Sequence, residues 1–311
     1  EKELKMVFMD NNLGSIVNIL LKLYNKNMSV IKIIIVVIIL AGNSMQSFGQ
    51  NFSSKELIGK MHKSIKTYRD FRFKLYRSER VNGKQVLGCF DGKLTMDPFM
   101  IYIKNIVPNE GSELMYKEGE NNNKAWVNPD IFPYITMSFY PESSLLKAGG
   151  HHTLKDAGFD LLDEIFKFYE TEFKEKLYEH LENRGIVDWK GVKCYKLILN
   201  HPEYKIINYS ATKDETLAKI AKKKLLNSYK LKELNPSIRE TKNLNEGQII
   251  KLPNAYAKKV VIYLATDSFL PVYQEIYDEI GLYEKYVYKD LTFGTKIPKE
   301  EFSIDNEDYG F

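Results

Sequence analysis

The apolar positions first recur with a helical spacing at residues 53–67. Ser53 or Ser54 can cap the first turn of this segment, because a serine side chain accepts a hydrogen bond from a free backbone amide. A spacing of three and four residues places the apolar side chains on one face of the helix. These side chains are Leu57, Ile58, Met61 and Ile65.

Between residues 71 and 128 the apolar positions alternate with polar ones, which is typical of strands. In the first strand, Phe71, Phe73 and Leu75 alternate with basic or polar side chains, and Asn82-Gly83 is a common hairpin turn. Short strands joined by polar turns indicate an antiparallel sheet that is curved or closed. The predicted strands are 71–80, 85–96, 100–107, 113–118 and 124–128.

In the second half of the chain, apolar and polar positions alternate less regularly. A loop-rich section rich in proline and glycine leads to a long predicted helix, 159–183, that ends before Gly185. The clear strand 191–199 has its predicted partner only at 259–265, so about sixty residues interrupt this hairpin. Two further strands are predicted at 271–278 and 284–291.

The interrupting segment has its own pattern, strand–helix–helix–strand. The strand that contains Tyr209 leads to a short helix, which Asp214 or Glu215 can cap and whose apolar face is Leu217, Ile220 and Ala221. A second helix carries Leu231 and Leu234 and stops at Asn235-Pro236, because the residue before a proline disfavours helix. Gly247 then leads into a strand at 249–252.

This βααβ pattern resembles the LysM module, a small carbohydrate-binding domain. The residues that carry the resemblance are Tyr209, Thr216-Leu217, Ile220-Ala221, Leu234-Asn235-Pro236, Gly247-Gln248 and Leu252-Pro253. The resemblance implies binding of glycans that contain N-acetylglucosamine, above all peptidoglycan, in a groove between two loops. The implied glycan-binding residues are Lys213, Asp214, Glu215, Thr216, Leu217, Asn235, Pro236, Ser237 and Ile238.

The first of these loops departs from the LysM pattern. Gly-Asp usually precedes the Thr-Leu pair, whereas Asp214 and Glu215 stand there in this chain. A differently shaped loop is therefore expected. The alternative is a structural insert whose sugar site has been lost, since surface loops tolerate insertions at little cost.

The rest of the chain resembles the bacterial envelope family known as domain of unknown function 1571 (DUF1571), over most of residues 53–311 outside the insert. More remotely, it is similar to the LolA/LolB lipoprotein carriers. The resemblance implies an α+β fold, in which helices pack on a curved antiparallel half-barrel sheet with an apolar concavity for acyl chains. The residues that carry the resemblance to DUF1571 are Asp97-Pro98-Phe99, Tyr102, Lys104, Gly111, Leu114–Tyr116, Gly150-His151-His152, Ala157-Gly158-Phe159, Phe302–Asp305, Asn306, Tyr309 and Gly310.

Composition places the chain among folded proteins with a packed core. Of its 311 residues 44% are hydrophobic, and the formal net charge is +4. Residues 205–258 hold 11 Lys and one Arg against five Asp and Glu, a net charge of +7 that leaves −3 for the remainder. The basic insert could meet an anionic polymer or a membrane surface, or could be a well-solvated module.

The amino-terminal region predicts export. The apolar run Ile33–Leu40 is too short to span a bilayer, and Ser47-Phe48-Gly49 offers small residues for cleavage before Gln50. The expected organisation is an upstream extension (1–27), a signal peptide (28–49), a LolA-like domain in two parts (50–204 and 259–311) and the LysM-like insert (205–258). An uncleaved amphipathic anchor within residues 1–27 is the alternative.

Candidate chemistry elsewhere is sparse. Cys89 and Cys194 could form a disulfide in an oxidising compartment or remain separately buried. His151 and His152 should point to opposite faces of an extended segment, so hydrogen-bonded structural roles are expected for them rather than a metal site. Asp163 and Glu164 are expected on the solvated face of the long helix. No motif indicates a catalytic residue, a cofactor, a metal site or nucleic acid as a partner.

We therefore expect a non-enzymatic, exported protein of the periplasm or cell envelope that binds peptidoglycan or another N-acetylglucosamine glycan. The first alternative is a lipid or lipoprotein carrier with acyl chains in the concavity and the insert as a tether. The second is a cell-wall hydrolase, since LysM modules often accompany such enzymes. Tyrosines near the end of the chain, including Tyr286 and Tyr288, could line a groove or be ordinary strand residues.

Overall fold

The computed structural model describes residues 52–147 and 150–311. Its helices are α1 (Ser54–Thr67), α2 (Ser144–Lys147), α3 (Asp160–Phe173), α4 (Glu175–Glu179), α5 (Leu217–Lys224) and α6 (Ser228–Leu234), with 3-10 turns at Asn121–Asn123, Leu154–Asp156 and Lys299–Phe302. Its strands are β1 (Asp70–Val81), β2 (Lys84–Met96), β3 (Phe99–Val107), β4 (Glu113–Lys117), β5 (Ala125–Asn128), β6 (Met137–Phe139), β7 (Leu181–Trp189), β8 (Val192–Asn200), β9 (Ile206–Ser210), β10 (Ile249–Pro253), β11 (Lys259–Ala265), β12 (Pro271–Tyr277) and β13 (Leu282–Phe293).

Eleven of these strands form one open antiparallel sheet. Their order is β6-β5-β4-β3-β2-β1-β13-β12-β11-β8-β7, so β6 and β7 are the two edges. The predicted meander 71–128 is confirmed, with strand ends shifted by a few residues at most. The fold class expected from the sequence, α+β with an antiparallel sheet and a few helices, is confirmed as well.

Helices α1 and α3 cover one face of the sheet, which we call the inner face. Alternation along β1 directs Phe71, Phe73 and Leu75 to this face, where they share the main core with Leu57 of α1 and Phe166 of α3. The predicted start of α1 is confirmed, because Ser53 caps it in a reciprocal pair of hydrogen bonds with Glu56. The carboxy-terminal tail packs on the outer face, where Tyr309 stacks on Tyr102 at 4.0 Å.

The prediction of one long helix at 159–183 is wrong, because the segment is divided into α3 and α4 and residues 180–183 are not helical. Lys174 adopts a positive φ of 49° that interrupts the helix, and Leu181 already pairs with Leu199 in the sheet. Gly185 does not end the helix but lies in β7, at the register shift between Asn183 and Ile186. The break is not visible in the sequence pattern, because the apolar residues of α4 continue the helical spacing of α3.

Asp163 was expected in solvent, and this is wrong. Its carboxylate is buried on α3, where it accepts a hydrogen bond from His62 at 2.5 Å and pairs with Lys167. Glu164 beside it is exposed, as expected. The periodicity of α3 therefore places the carboxylate of Asp163 against α1, where His62 is its hydrogen-bond partner.

The insert folds as the βααβ unit expected of a LysM region. Strands β9 and β10 form a separate two-stranded antiparallel sheet, and helices α5 and α6 lie between them in the chain. This unit has its own core, which includes Leu217, Ile220, Leu231, Ile250 and Leu252. The predicted pairing on either side of it is confirmed, since β8 pairs with β11 from Asn200–Lys259 to Cys194–Ala265.

The predicted cap of the first insert helix is wrong by one or two residues. Thr216 is the N-cap of α5 and accepts a hydrogen bond from the amide of Lys219 at 3.1 Å. Asp214 instead adopts a positive φ of 62° in the preceding turn. Glu215 accepts hydrogen bonds from the amide of Thr212 and from the hydroxyl of Tyr209.

Helix α6 fixes the insert to the larger domain through a buried charge pair. The ammonium of Lys230 lies 2.8 Å from Asp278 and 2.7 Å from Glu279, and Asp278 also pairs with Arg80 of β1. Burial alone would lower the pKa of Lys230, but the two carboxylates raise it above its ordinary value. The cation is therefore kept charged in an interior site between the two parts of the protein.

Three further expectations concern the amino-terminal region, the cysteines and membrane-spanning helices. The extension and the signal peptide, residues 1–49, fall outside the described residues. Cys89 and Cys194 are both buried and are not joined to each other. In residues 52–147 and 150–311, no helix combines the length and the apolar character needed to cross a membrane.

We expect Lys230→Met to destabilise the whole described unit rather than the insert alone. Removing one member of a buried ion pair leaves uncompensated charge, so the free energy of unfolding should fall by about 3 kcal/mol in a urea titration. Lys222→Met, at an exposed position on α5, is the matched control and should change it by less than about 0.5 kcal/mol. Equal losses in the two variants would contradict the buried role of Lys230.

Candidate functional site

The nine predicted glycan-binding residues lie on two neighbouring loops of the insert. The segment after α6 runs beside the start of α5, because the amide of Leu244 donates to the carbonyl of Glu215 at 2.8 Å. The amide of Ala218 also donates to the carbonyl of Glu240 at 3.2 Å. The chain that continues from the second loop, at Glu240 and Leu244, therefore lies beside the first loop.

Four of the nine residues are buried and support the loops from within. Glu215 holds the first loop through Thr212 and Tyr209, Thr216 caps α5, and Leu217 belongs to the insert core. Asn235 donates to the carbonyl of Lys251 at 2.7 Å and accepts from its amide at 3.0 Å, so it ties the second loop to β10. These four side chains fix the conformation of the loops but are not themselves exposed to a ligand.

The other five residues form the outer surface of the loops. Lys213, Asp214, Pro236 and Ser237 are exposed, and Ile238 is half-buried against the insert core. Among the described residues, the backbone amides of Lys213, Asp214 and Ser237 have no acceptor within the chain. The carbonyls of Pro236 and Ile238 both accept from the ammonium of Lys232, at 2.8 and 2.7 Å. The loops therefore present donors to a ligand more readily than acceptors.

A second candidate site is a cavity between the inner face of the sheet and α3. Its volume is about 250 Å³. Its apolar wall comes from strands of the sheet and from α3, and loop 152–158 closes one side. The side chains of that wall include Phe73, Leu75, Leu161, Phe166, Ile276 and Tyr288.

The apolar floor of this cavity continues to the edge of the sheet. Ile103 and Leu114 line the cavity, and cross-strand register extends the same row through Val127 to Met137 on the edge strand β6. Directly paired residues of antiparallel strands share one face. Around this edge the segment 131–145 leaves large apolar side chains in solvent, of which Phe132 is 85% exposed. An apolar surface therefore runs from outside the protein to the cavity.

One end of the cavity is polar and is centred on Glu284. This carboxylate is fully buried and accepts hydrogen bonds from His151 at 2.8 Å, Asn227 at 2.5 Å and Tyr256 at 3.1 Å. Asn227 is also the N-cap of α6. The polar end of the cavity and the attachment of the insert are therefore parts of one hydrogen-bond network.

The expectation that His151 and His152 point to opposite faces is wrong. Nδ1 of His151 and Nε2 of His152 both approach the same oxygen of Glu284, at 2.8 and 3.2 Å, because residues 151–152 form a bend rather than a strand. Both histidines are hydrogen-bonded, as expected. His151 also stacks on Tyr229 of α6 at 4.7 Å.

The charges around Glu284 determine the protonation of His152 and of Glu284 itself. Burial alone would lower the pKa of His152, but the carboxylate of Glu284 outweighs it and raises the pKa to about 9. Burial alone would raise the pKa of Glu284, but the two histidines hold it well below its ordinary value. His152 and Glu284 therefore form a buried ion pair at neutral pH, and Glu79 and Asp156 add smaller stabilising fields on the imidazolium.

Sequence reasoning missed several polar residues that line the cavity, among them Arg77, Glu79, Tyr256 and Glu284. A signal for two of them was present in β1, because the alternation that carries Phe73 and Leu75 inward continues through Arg77 and Glu79. Charged residues at inward positions of a strand indicate a polar pocket. In the part of the chain that the structure describes, no group of three or more His, Cys, Asp or Glu is placed to hold a metal ion.

We expect the stability of the protein to depend on the protonation of His152. The folded chain holds this proton up to about pH 9, whereas an unfolded histidine loses it near pH 6.5. Between these two values the folded state binds more protons, so the free energy of unfolding should fall as the pH rises through this window. His152→Gln should remove this part of the slope in urea titrations between about pH 6 and pH 10. An unchanged slope in the variant would contradict the assignment.

Two family models match the chain. The model described as "Protein of unknown function (DUF1571)" matches residues 68–217, and the LysM domain model matches residues 209–253. The first match ends before the strands that follow the insert, where the resemblance was expected to continue. No curated protein matches the chain.

Several solved structures are similar to this chain at low identity. A DUF1329 family protein from Desulfovibrio piger is 12% identical, over 81% of this chain and 96% of its own, with a TM-score of 0.34. A putative outer membrane lipoprotein-sorting protein domain from Vibrio parahaemolyticus is 10% identical over 82% and 98%, with a TM-score of 0.31. A LolA superfamily protein from Nitrosomonas europaea is 9% identical over 82% and 99%, with a TM-score of 0.27. The family matches confirm both resemblances seen in the sequence: this chain is similar to DUF1571 proteins over residues 68–217 and to LysM domains over residues 209–253.

Proposed function

We propose that this protein is an exported, non-enzymatic component of the cell envelope that binds glycans containing N-acetylglucosamine, such as peptidoglycan, through its LysM region. The observation that carries the proposal is the LysM match over residues 209–253, together with two adjacent loops whose outer surface offers unpaired backbone amides. An N-acetyl group presents a carbonyl oxygen, which such amides can bind. Pro236 and the half-buried Ile238 add an apolar surface for the sugar ring.

The docking of the insert adds a constraint to this proposal. Helix α6 is fixed to the larger domain by Lys230 and Asn227, so the sugar-binding loops keep one orientation relative to the large sheet. Deleting residues 205–258 would also remove buried partners of Glu284 and Asp278. Point substitutions on the loops are therefore a cleaner test than deletion.

We expect Ser237→Glu to reduce the retention of the full chain on purified peptidoglycan at least about tenfold, because a bulkier charged side chain would cover the loop amides. Ser210→Glu is the matched control: it adds the same charge at an exposed position of β9 and should leave retention unchanged. Soluble oligomers of N-acetylglucosamine should compete with the polymer.

Absence of binding by the unmodified chain, or equal loss in both variants, would refute glycan binding by these loops. Release of soluble muropeptides by the purified protein would refute the non-enzymatic part of the proposal.

The cavity supports a second candidate function, a carrier of an acyl chain. Its volume of about 250 Å³, its apolar wall and its continuation to an exposed apolar edge favour a hydrophobic ligand that enters from that side. In this second proposal the LysM region holds the carrier on the cell wall. The envelope location is common to both proposals.

We expect Leu161→Trp to abolish binding of a twelve-carbon fatty acid, because the larger ring would fill the cavity. Leu87→Trp, at an exposed position outside the cavity, should leave binding intact. The measurement is calorimetric titration of the full chain, supported by mass spectrometry of acyl chains that copurify. Binding that survives Leu161→Trp would place the ligand elsewhere.

A further inference from the structure

The two carboxylates at the polar end of the cavity already have hydrogen-bond donors from the chain. Glu284 accepts from His151, Asn227 and Tyr256. Glu79 accepts from the hydroxyl of Tyr286 at 2.6 Å and from the amide of His151 at 3.0 Å. Since buried acceptors that are satisfied gain little from a ligand, these carboxylates support the site rather than bind its occupant.

Arg77 differs from them, because most of its donors are still available. Its guanidinium lines the cavity, and among the described residues its one hydrogen bond goes from Nη1 to Glu79 at 3.2 Å. A guanidinium carries five N–H donors in a planar fork that suits a carboxylate or a phosphate. Nε and Nη2 therefore have no acceptor among the described residues and can bind an anionic oxygen.

The guanidinium of Arg77 occupies space that is open only because two neighbouring residues are glycines and have no side chain. Gly88 lies directly opposite Arg77 on β2, and a Cβ atom there would lie 2.6 Å from Nε. A Cβ atom at Gly150 would overlap Nη1. Any larger residue at either position would displace the guanidinium from the cavity wall. The two glycines thus leave room for the guanidinium of Arg77 in the wall of a largely apolar cavity.

His152 lines the same cavity and supplies a second cationic donor. Its Nε2 faces Glu284 at 3.2 Å, whereas its Nδ1 lies 3.9 Å from Asp156, beyond hydrogen-bonding distance. Asp156 is itself engaged, since its carboxylate accepts from the amide and the hydroxyl of Thr153 at 2.7 and 2.8 Å. Nδ1–H of His152 is therefore a donor without a close acceptor among the described residues.

We infer that the cavity binds an amphiphile with an anionic head, in which Arg77 and His152 hold the carboxylate or phosphate oxygens and the acyl chain lies along Phe73, Leu161 and Phe166. This inference rests on the carrier function proposed above and adds the chemistry of the head group. A cationic head would be repelled by the guanidinium. A neutral ester would lose the charge-assisted part of the hydrogen bonds.

The test compares four ligands of one chain length on the full chain. Dodecanoate, dodecyl phosphate, methyl dodecanoate and dodecyltrimethylammonium are titrated below their micelle concentrations by calorimetry. The two anions should bind at least about tenfold more tightly than the ester, and the cation should bind most weakly. The ratio between dodecanoate and dodecyl phosphate then distinguishes a fatty acid head from a phospholipid head.

Variants separate the head-group site from the apolar cavity. Arg77→Gln should reduce the affinity for both anions to that of the ester, and Arg77→Lys should retain part of the preference, because it keeps the charge without the planar fork. Lys74→Gln is the matched control, since Lys74 lies on the same strand but faces outward towards Asp91. Circular dichroism confirms that each variant is folded.

The outcomes distinguish this inference from the function on which it rests. Equal affinities for all four ligands, or an anion preference that persists in Arg77→Gln, would overturn the anionic head group and leave the acyl-chain carrier intact. No binding of any ligand would refute the carrier function itself. A preference for the cation would reverse the charge assignment.

Discussion

The carboxylate of Glu284 is the point at which the parts of this structure meet. It comes from the large sheet, is fully buried, and binds the histidine pair, the hydroxyl of Tyr256 and the cap of insert helix α6. A buried carboxylate without these partners would cost several kcal/mol, so each donor must stay in place. The sheet, loop 151–152 and the insert therefore all meet at this one carboxylate, and Lys230 attaches the insert a second time at Asp278.

This constraint has consequences for both candidate sites. On one side it fixes α6, and with it the loop that follows Asn235, so the surface proposed to bind sugar is attached without a flexible linker. On the other side it holds His152 at the end of the cavity, where Nδ1–H has no close acceptor among the described residues. A glycan surface and an apolar cavity thus share one polar network, although each would bind a chemically different ligand.

Local signals explain which parts of the fold could be predicted from the sequence. The capping box at Ser53, the turn at Asn82-Gly83 and the Asn235-Pro236 stop act within a few residues, and the elements they delimit were predicted closely. Helix α3 was extended too far because no local signal marked the break at Lys174. The network around Glu284 joins residues far apart in sequence, such as His151 and Asn227, so only the register of the sheet and the docking of α6 could reveal it.

We propose that a LysM unit, held on the large sheet through Glu284 and Lys230, presents a glycan-binding surface at its two loops. The most direct measurement is a crystal structure of the full chain with a bound tetramer of N-acetylglucosamine. The sugar should lie across Lys213–Asp214 and Pro236–Ile238, and Asn227 and both histidines should remain hydrogen-bonded to Glu284. A sugar bound elsewhere, or an insert turned away from Glu284, would contradict it.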